Sequence, residues 1–176
     1  MYEFYKQLTI NVSRLITRSY STSFSTAVSL LDSEIRDAIY SIYGFVRFAD
    51  EIVDSFHEHD KKYLLEKFEA DYYEAFRDGI SMNPVLHSFQ ATVKKYDISD
   101  DLIQAFLNSM KMDLLKRDFH TVSEMEHYVY GSAEVVGLMC LKVFVKGNNS
   151  AYCDLEIHAR KLGSAFQKIN FLRDLS

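Results

Sequence analysis

Chain-breaking residues are scarce here: one proline and six glycines in 176 residues. So little punctuation excludes a chain cut into many short elements. Tryptophan is absent, and the two cysteines, Cys140 and Cys153, have no metal-ligand spacing and suit a reducing compartment. Excess positive charge is lacking too. Lys and Arg number 20 against 25 Asp and Glu, a net of -5, which argues against a nucleic-acid footprint. No apolar run approaches the length that spans a bilayer, and the opening MYEFYKQLTI has neither a basic n-region nor an apolar h-region. A cytoplasmic location is expected.

What is present is a period of 3.6 almost throughout, which predicts an all-α chain. Hydrophobic residues make up 48% and charged ones 26%, ordinary for a globular protein, and 176 residues fit a single domain over 1–176. A first helix is expected over about Glu3 to Thr17, with Phe4, Leu8, Val12 and Leu15 as its apolar stripe. SYSTSFSTAV reads as a break or an irregular helix start. Asp32 can cap a long helix running through Ser55, and Asp60 one that ends near Gly79. Asn83-Pro84 suits N-cap and N1 of a helix to about Lys95, and Ser99 opens the next. Ser123 and Glu126 form a capping box for a helix ending near Gly147, and a last helix starts near Ala151.

Two of these helices carry polar residues at matching offsets: Arg47, Asp50, Asp54 and Gln167, Asn170, Asp174. Offsets of 0, 3 and 7 fall within roughly 60° of one another on a helix, so each trio makes one polar line in an otherwise apolar segment. Interior carboxylates need a partner, and a divalent cation is the obvious one. Two such lines facing each other would make a Mg²⁺-dependent diphosphate site. Asp50 and Asp54 supply carboxylates one turn apart, and Arg47 beside them reads as a phosphate clamp. The plainer alternative is a solvated acidic face with an Arg47–Asp50 ion pair. Asn170 and Asp174 offer hard oxygen ligands, with Arg173 on the flank. Glu51 points about 100° off the first line and is a weaker ligand.

Tyr130, Glu134 and Gly137 share one face of YVYGSAEVVGLM, where small residues allow either a ligand or a tightly packed helix. Phe24, Tyr43 and Tyr130 suit a core, or an aromatic wall that stabilises a carbocation. His57-Glu58-His59 lacks a third ligand at sensible spacing and is rejected as a metal site.

With these residues in place the chain resembles the squalene/phytoene synthase family of head-to-head prenyl transferases. SYSTSFSTAVSLL resembles its Ser-x-Ser-Phe segment, through Ser21, Ser23 and Phe24. IYGFVRFADEIVD resembles the first aspartate-rich motif, with Arg47, Asp50 and Asp54 matching. YVYGSAEVVGLM resembles the Tyr-x-x-x-Val-Ala-Gly-x-Val-Gly signature, with Tyr128 or Tyr130 as the tyrosine and Gly137 as the last glycine. FQKINFLRD resembles the start of the second aspartate-rich motif, covering Gln167, Asn170, Arg173 and Asp174. There are two departures: Glu134 stands where the family usually has glycine, and the acid expected four residues after Asp174 is not in the sequence.

The resemblance implies a bundle of antiparallel helices around a central cavity, of the isoprenoid synthase type, here corresponding to the N-terminal part and incomplete at the C-terminus. It implies Mg²⁺, or Mn²⁺ in its place, held by Asp50, Asp54, Asn170 and Asp174. Substrate contacts fall to Ser21, Phe24, Tyr43, Arg47, Gly137, Gln167, Asn170 and Arg173, with Arg47 and Asn170 on the diphosphate and Phe24 lining the prenyl channel. Tyr128 or Tyr130, with Arg47, is implied in catalysis. Two prenyl diphosphates would join through a cyclopropylcarbinyl diphosphate, most simply two geranylgeranyl diphosphates giving phytoene. Squalene or dehydrosqualene synthesis from farnesyl diphosphate is the alternative within the family. An answer of another class is a non-catalytic helical fragment that binds a partner. Peripheral membrane association is expected from the apolar tails of substrate and product.

Overall fold

A computed structural model describes residues 1–115 and 121–174, with side-chain environments given through Leu172. Among the described residues the chain is helical and has no strand. None of the described helices is long and apolar enough to cross a membrane. The chain divides into two compact units, Met1–Asp97 and Ile98–Ser176.

The first unit holds α1 (Tyr2–Tyr20), α2 (Thr22–Ser29), α3 (Ser33–Ser55), α4 (Lys61–Asp78) and α5 (Pro84–Tyr96). The expected caps operate. Asp32 accepts from the Glu34 amide, Asp60 from Tyr63, and Asn83 from Val85 and Leu86 with Pro84 at the helix start. Gly79 ends α4 at φ 72, a left-handed conformation that glycine adopts without steric cost. The core centres on Phe45 of α3, stacked 3.9 Å from Phe89 of α5 and 5.2 Å from Phe68 of α4.

Helix α1 departs from the expected pattern. Phe4, Leu8 and Leu15 are exposed, while Thr9, Ser13 and Thr17 are buried. The reason is close helix packing. Ser13 lies so near Gly44 of α3 that a β-carbon there would stand 3.0 Å from its hydroxyl oxygen. The hydroxyls are satisfied locally, Thr9 by the Lys6 carbonyl, Thr17 by the Ser13 carbonyl, and Ser13 by Ser88 at 2.9 Å. Small polar residues thus make the contact with α3 and α5, and the three hydroxyls enter it with hydrogen-bond partners.

The second unit holds α6 (Asp100–Leu115), α7 (Val122–Val129), a π-helical turn π1 (Tyr130–Glu134), α8 (Val135–Phe144) and α9 (Asn149–Asp174). The cap of α7 is Thr121, whose hydroxyl accepts from the Glu124 amide, instead of the expected Ser123–Glu126 box. The two Ser/Thr-x-x-Glu patterns overlap in sequence, and the earlier one starts the helix. The helix expected to run on to Gly147 is interrupted by π1. Gly131 explains how this wide turn fits: a β-carbon there would lie 2.7 Å from the Ala105 carbonyl oxygen of α6. Gly163 of α9 presses equally hard on π1, 2.7 Å from the Ala133 carbonyl oxygen by the same measure. Phe106, Ile103 and Leu107 of α6 pack the core of this unit with Val135, Leu138 and Met139 of α8.

Candidate functional site

In the first unit the site residues gather where α1 gives way to α2. Ser21 breaks the helix with an extended backbone (φ -147, ψ 101), and its hydroxyl accepts from the Phe24 amide at 3.3 Å. An aromatic residue on each side of that break lies on α3. Tyr20 lies against Arg47, with the guanidinium carbon 4.3 Å from the ring centroid. Phe24 stacks on Tyr43 at 5.0 Å and 24°. Ser21 therefore acts as a cap that places its neighbours.

Arg47, Asp50 and Asp54 lie on one line of α3, as helical spacing requires. Asp50 is half-buried and Asp54 exposed. The Arg47 ion pair is with Glu51, at 2.5 Å, and both side chains are 23% exposed. Burial opposes the charge on Arg47, but the Glu51 hydrogen bond and the nearby Asp50 outweigh it and raise the guanidinium pKa. Glu51 in turn is held below the usual carboxylate range by Ser55, Arg47 and Tyr20. Burial pushes the Tyr43 phenol up, with Arg47 and Asp50 acting in opposite directions on it. One edge of Arg47 is still unserved, since its buried Nε has no hydrogen-bond partner among the described residues. Among the described residues no three His, Cys, Asp or Glu come together as a metal cluster.

In the second unit the two candidate tyrosines take different surroundings. Tyr128 is buried, donates its hydroxyl to Asp113 of α6 at 3.0 Å, and lies along Phe171 of α9 at 6.1 Å. Tyr130 instead lies under the Arg160 guanidinium, 5.1 Å from its ring centroid, and Arg160 is bonded to Glu134. Gly137 packs against α9, where a β-carbon would be 3.0 Å from the Ala159 carbonyl oxygen. Gln167 and Asn170 are half-buried neighbours, with the Asn170 amide donating to Gln167 at 3.4 Å. The backbones of Arg173 and Asp174 belong to the last turn of α9, and their side chains lie outside the described residues.

Sequence reasoning missed Tyr20, Asp113 and Arg160 as parts of these clusters, and took Glu51 as a weaker metal ligand where the structure pairs it with Arg47. Only Glu51 carried a signal, its i,i+4 spacing from Arg47.

Residues 17–176 match the family model described as squalene/phytoene synthase. A phytoene synthase of Rhodobacter capsulatus is 31% identical over 169 residues, covering 94% of this chain and 48% of the relative. A 15-cis-phytoene synthase of a Paracoccus species is 28% identical over 178 residues, covering 96% of this chain and 56% of the relative. The chain thus spans about half the length of the curated relatives it matches. The fold is that of a squalene synthase from Alicyclobacillus acidocaldarius, with a TM-score of 0.84 at 22% identity over 97% of this chain and 63% of that structure. Since the match begins at Thr17 and takes in both aspartate-rich segments, the chain belongs to the squalene/phytoene synthase family.

Proposed function

We propose that the chain carries the diphosphate-ionising elements of a head-to-head prenyl transferase of the phytoene synthase type, acting on two geranylgeranyl diphosphates. The observation that carries this reading is the arrangement on α3. A fixed guanidinium stands one turn from Asp50 and two from Asp54, beside a stacked aromatic pair. The names of the curated relatives favour phytoene over squalene-type products.

The residues fit a divalent ion. Asp50 and Asp54 offer hard carboxylate oxygens on one face, and Mg²⁺ is commonly held by one or two carboxylates with the substrate's phosphates as the remaining ligands. Asn170 and Asp174 of α9 are likewise proposed as oxygen ligands for such an ion. Mg²⁺, or Mn²⁺, would neutralise charge on the departing diphosphate when bound.

The chain's own residues supply the rest. Arg47, whose Nε has no hydrogen-bond partner among the described residues, binds a phosphate oxygen, and Gln167, Asn170 and Arg173 of α9 are proposed as substrate-binding residues. Phe24 and Tyr43 form an apolar wall that keeps water from an allylic cation. Between the two tyrosines the surroundings favour Tyr128. Its proton is engaged by Asp113, so the phenol oxygen can turn lone-pair density toward a cation. The Tyr130 face is already covered by a guanidinium, which would repel one. Ser21 and Gly137 serve by shaping the backbone around these groups. Peripheral attachment to a membrane would give the apolar substrates and product a place to partition.

The test is incubation with Mg²⁺ and geranylgeranyl diphosphate, followed by analysis of the lipid extract. Phytoene is the expected product, lost in Asp50→Asn. Products formed only from farnesyl diphosphate would defeat the choice of substrate, and no product from either would favour a non-catalytic helical module.

A further inference from the structure

Tyr20 closes the last turn of α1, immediately before the Ser21 break. It is 48% exposed, so it adds little to the core, yet it makes two specific contacts. Its ring covers one face of the Arg47 guanidinium at 4.3 Å, and its hydroxyl faces Glu51, which holds Arg47 Nη2 at 2.5 Å. Arg47 is therefore fixed on a face and at one nitrogen. Its Nε, buried and without a hydrogen-bond partner among the described residues, is left as an unsatisfied donor. Unsatisfied buried donors are rare in folded proteins and ask for an acceptor from outside.

We propose that Tyr20 is a positioning residue. With Glu51 it holds the Arg47 guanidinium so that the unpartnered Nε–H receives an oxygen of a diphosphate. This rests on the reading of Arg47 as a diphosphate-binding residue. A planar donor fork gains from such fixing, because less side-chain freedom is lost when the anion binds. The opposing view is that Tyr20 is a surface ring resting on a convenient cation.

The two views separate in calorimetric titration of the full chain with inorganic pyrophosphate at fixed Mg²⁺, with helicity checked by circular dichroism. Arg47→Gln should abolish binding. Tyr20→Leu should weaken it about tenfold with helicity unchanged, and Tyr20→Phe, which keeps the ring, should stay within about threefold of wild type. Wild-type affinity in Tyr20→Leu, with binding lost in Arg47→Gln, overturns the role of Tyr20 and leaves that of Arg47 standing. Wild-type affinity in Arg47→Gln overturns both. Should the leucine variant fail to fold, the Arg47 Nε–H resonance decides in the wild type and Tyr20→Phe. Pyrophosphate should move it downfield in both, and a signal unmoved at saturation refutes the proposal.

Discussion

Arg160 donates from Nε to the Glu134 carboxylate at 2.8 Å, tying α9 to the π-helical turn. The Glu134 side chain is only 15% exposed, against 45% for Arg160. A carboxylate at this position, where the family usually has glycine, is tolerable because a guanidinium meets it. Arg160→Leu leaves that carboxylate unpaired and should cost about 1 to 3 kcal/mol in urea denaturation. Adding Glu134→Ala to it should recover most of the loss, a coupling that a double-mutant cycle measures directly.

Gly163 and the Ala133 carbonyl oxygen meet at the same junction. A β-carbon at Gly163 would stand 2.7 Å from that oxygen and 3.0 Å from the Glu134 α-carbon. Backbone, not a flexible side chain, would have to move. Gly163→Ala is therefore expected to destabilise by about 1 to 3 kcal/mol despite alanine's better helix propensity, read as a lowered Tm.

Tyr128 and Tyr130 differ in surroundings, so their variants should differ in effect. Tyr128→Phe removes the hydrogen bond to Asp113 and the oriented phenol oxygen, and is expected to lower kcat by about 10- to 100-fold. Tyr130→Phe keeps the ring under Arg160 and should change kcat little. Steady-state rates of the proposed prenyl transfer check this, and the opposite ranking would assign the role to Tyr130.

His87 should make stability depend on pH. It is buried, and its Nδ1 accepts from the Ser81 amide at 3.3 Å, so in the neutral ring the proton sits on Nε2. Burial, helped by the positive charge of Lys6, lowers its pKa below the ordinary 6.5. The unfolded chain then takes up the proton first as pH falls. Stability is full above about pH 6.5 and drops below it, through the window down to the lowered folded-state value. Urea midpoints between pH 7.5 and 5 should decline in the wild type and more gently in His87→Phe.

The two thiols should react at very different rates. Cys153 is exposed, whereas desolvation pushes the Cys140 thiol up to about 12. Since the thiolate is the reactive form, a disulfide reagent at pH 8 should titrate Cys153 quickly in the native chain and Cys140 only after denaturation.

The sequence was enough for the helical framework of the first unit, because its caps are local chemistry. Asp32, Asp60, Gly79 and Asn83-Pro84 each satisfy or end a helix through neighbours a few residues away. The polar line Arg47, Asp50, Asp54 was equally legible, since helical spacing alone puts it on one face. What escaped was whatever depends on a partner distant in sequence. The buried face of α1 is Thr9, Ser13 and Thr17 because Gly44 lets α3 come close, and hydropathy cannot register that. The π turn at Tyr130–Glu134 follows from contacts with α6 and α9, not from any local breaker.

Residue types and spacing thus determined that the chain is helical, which acids share a line, and which family motifs it carries. Tertiary structure alone decided which groups hold those side chains still. Tyr20 at the end of α1 reaches Arg47 of α3, and Asp113 of α6 reaches Tyr128 of α7, each across a gap in sequence that no local pattern spans. Periodicity fixes direction around one helix axis, whereas contact between helices depends on how closely their surfaces can approach.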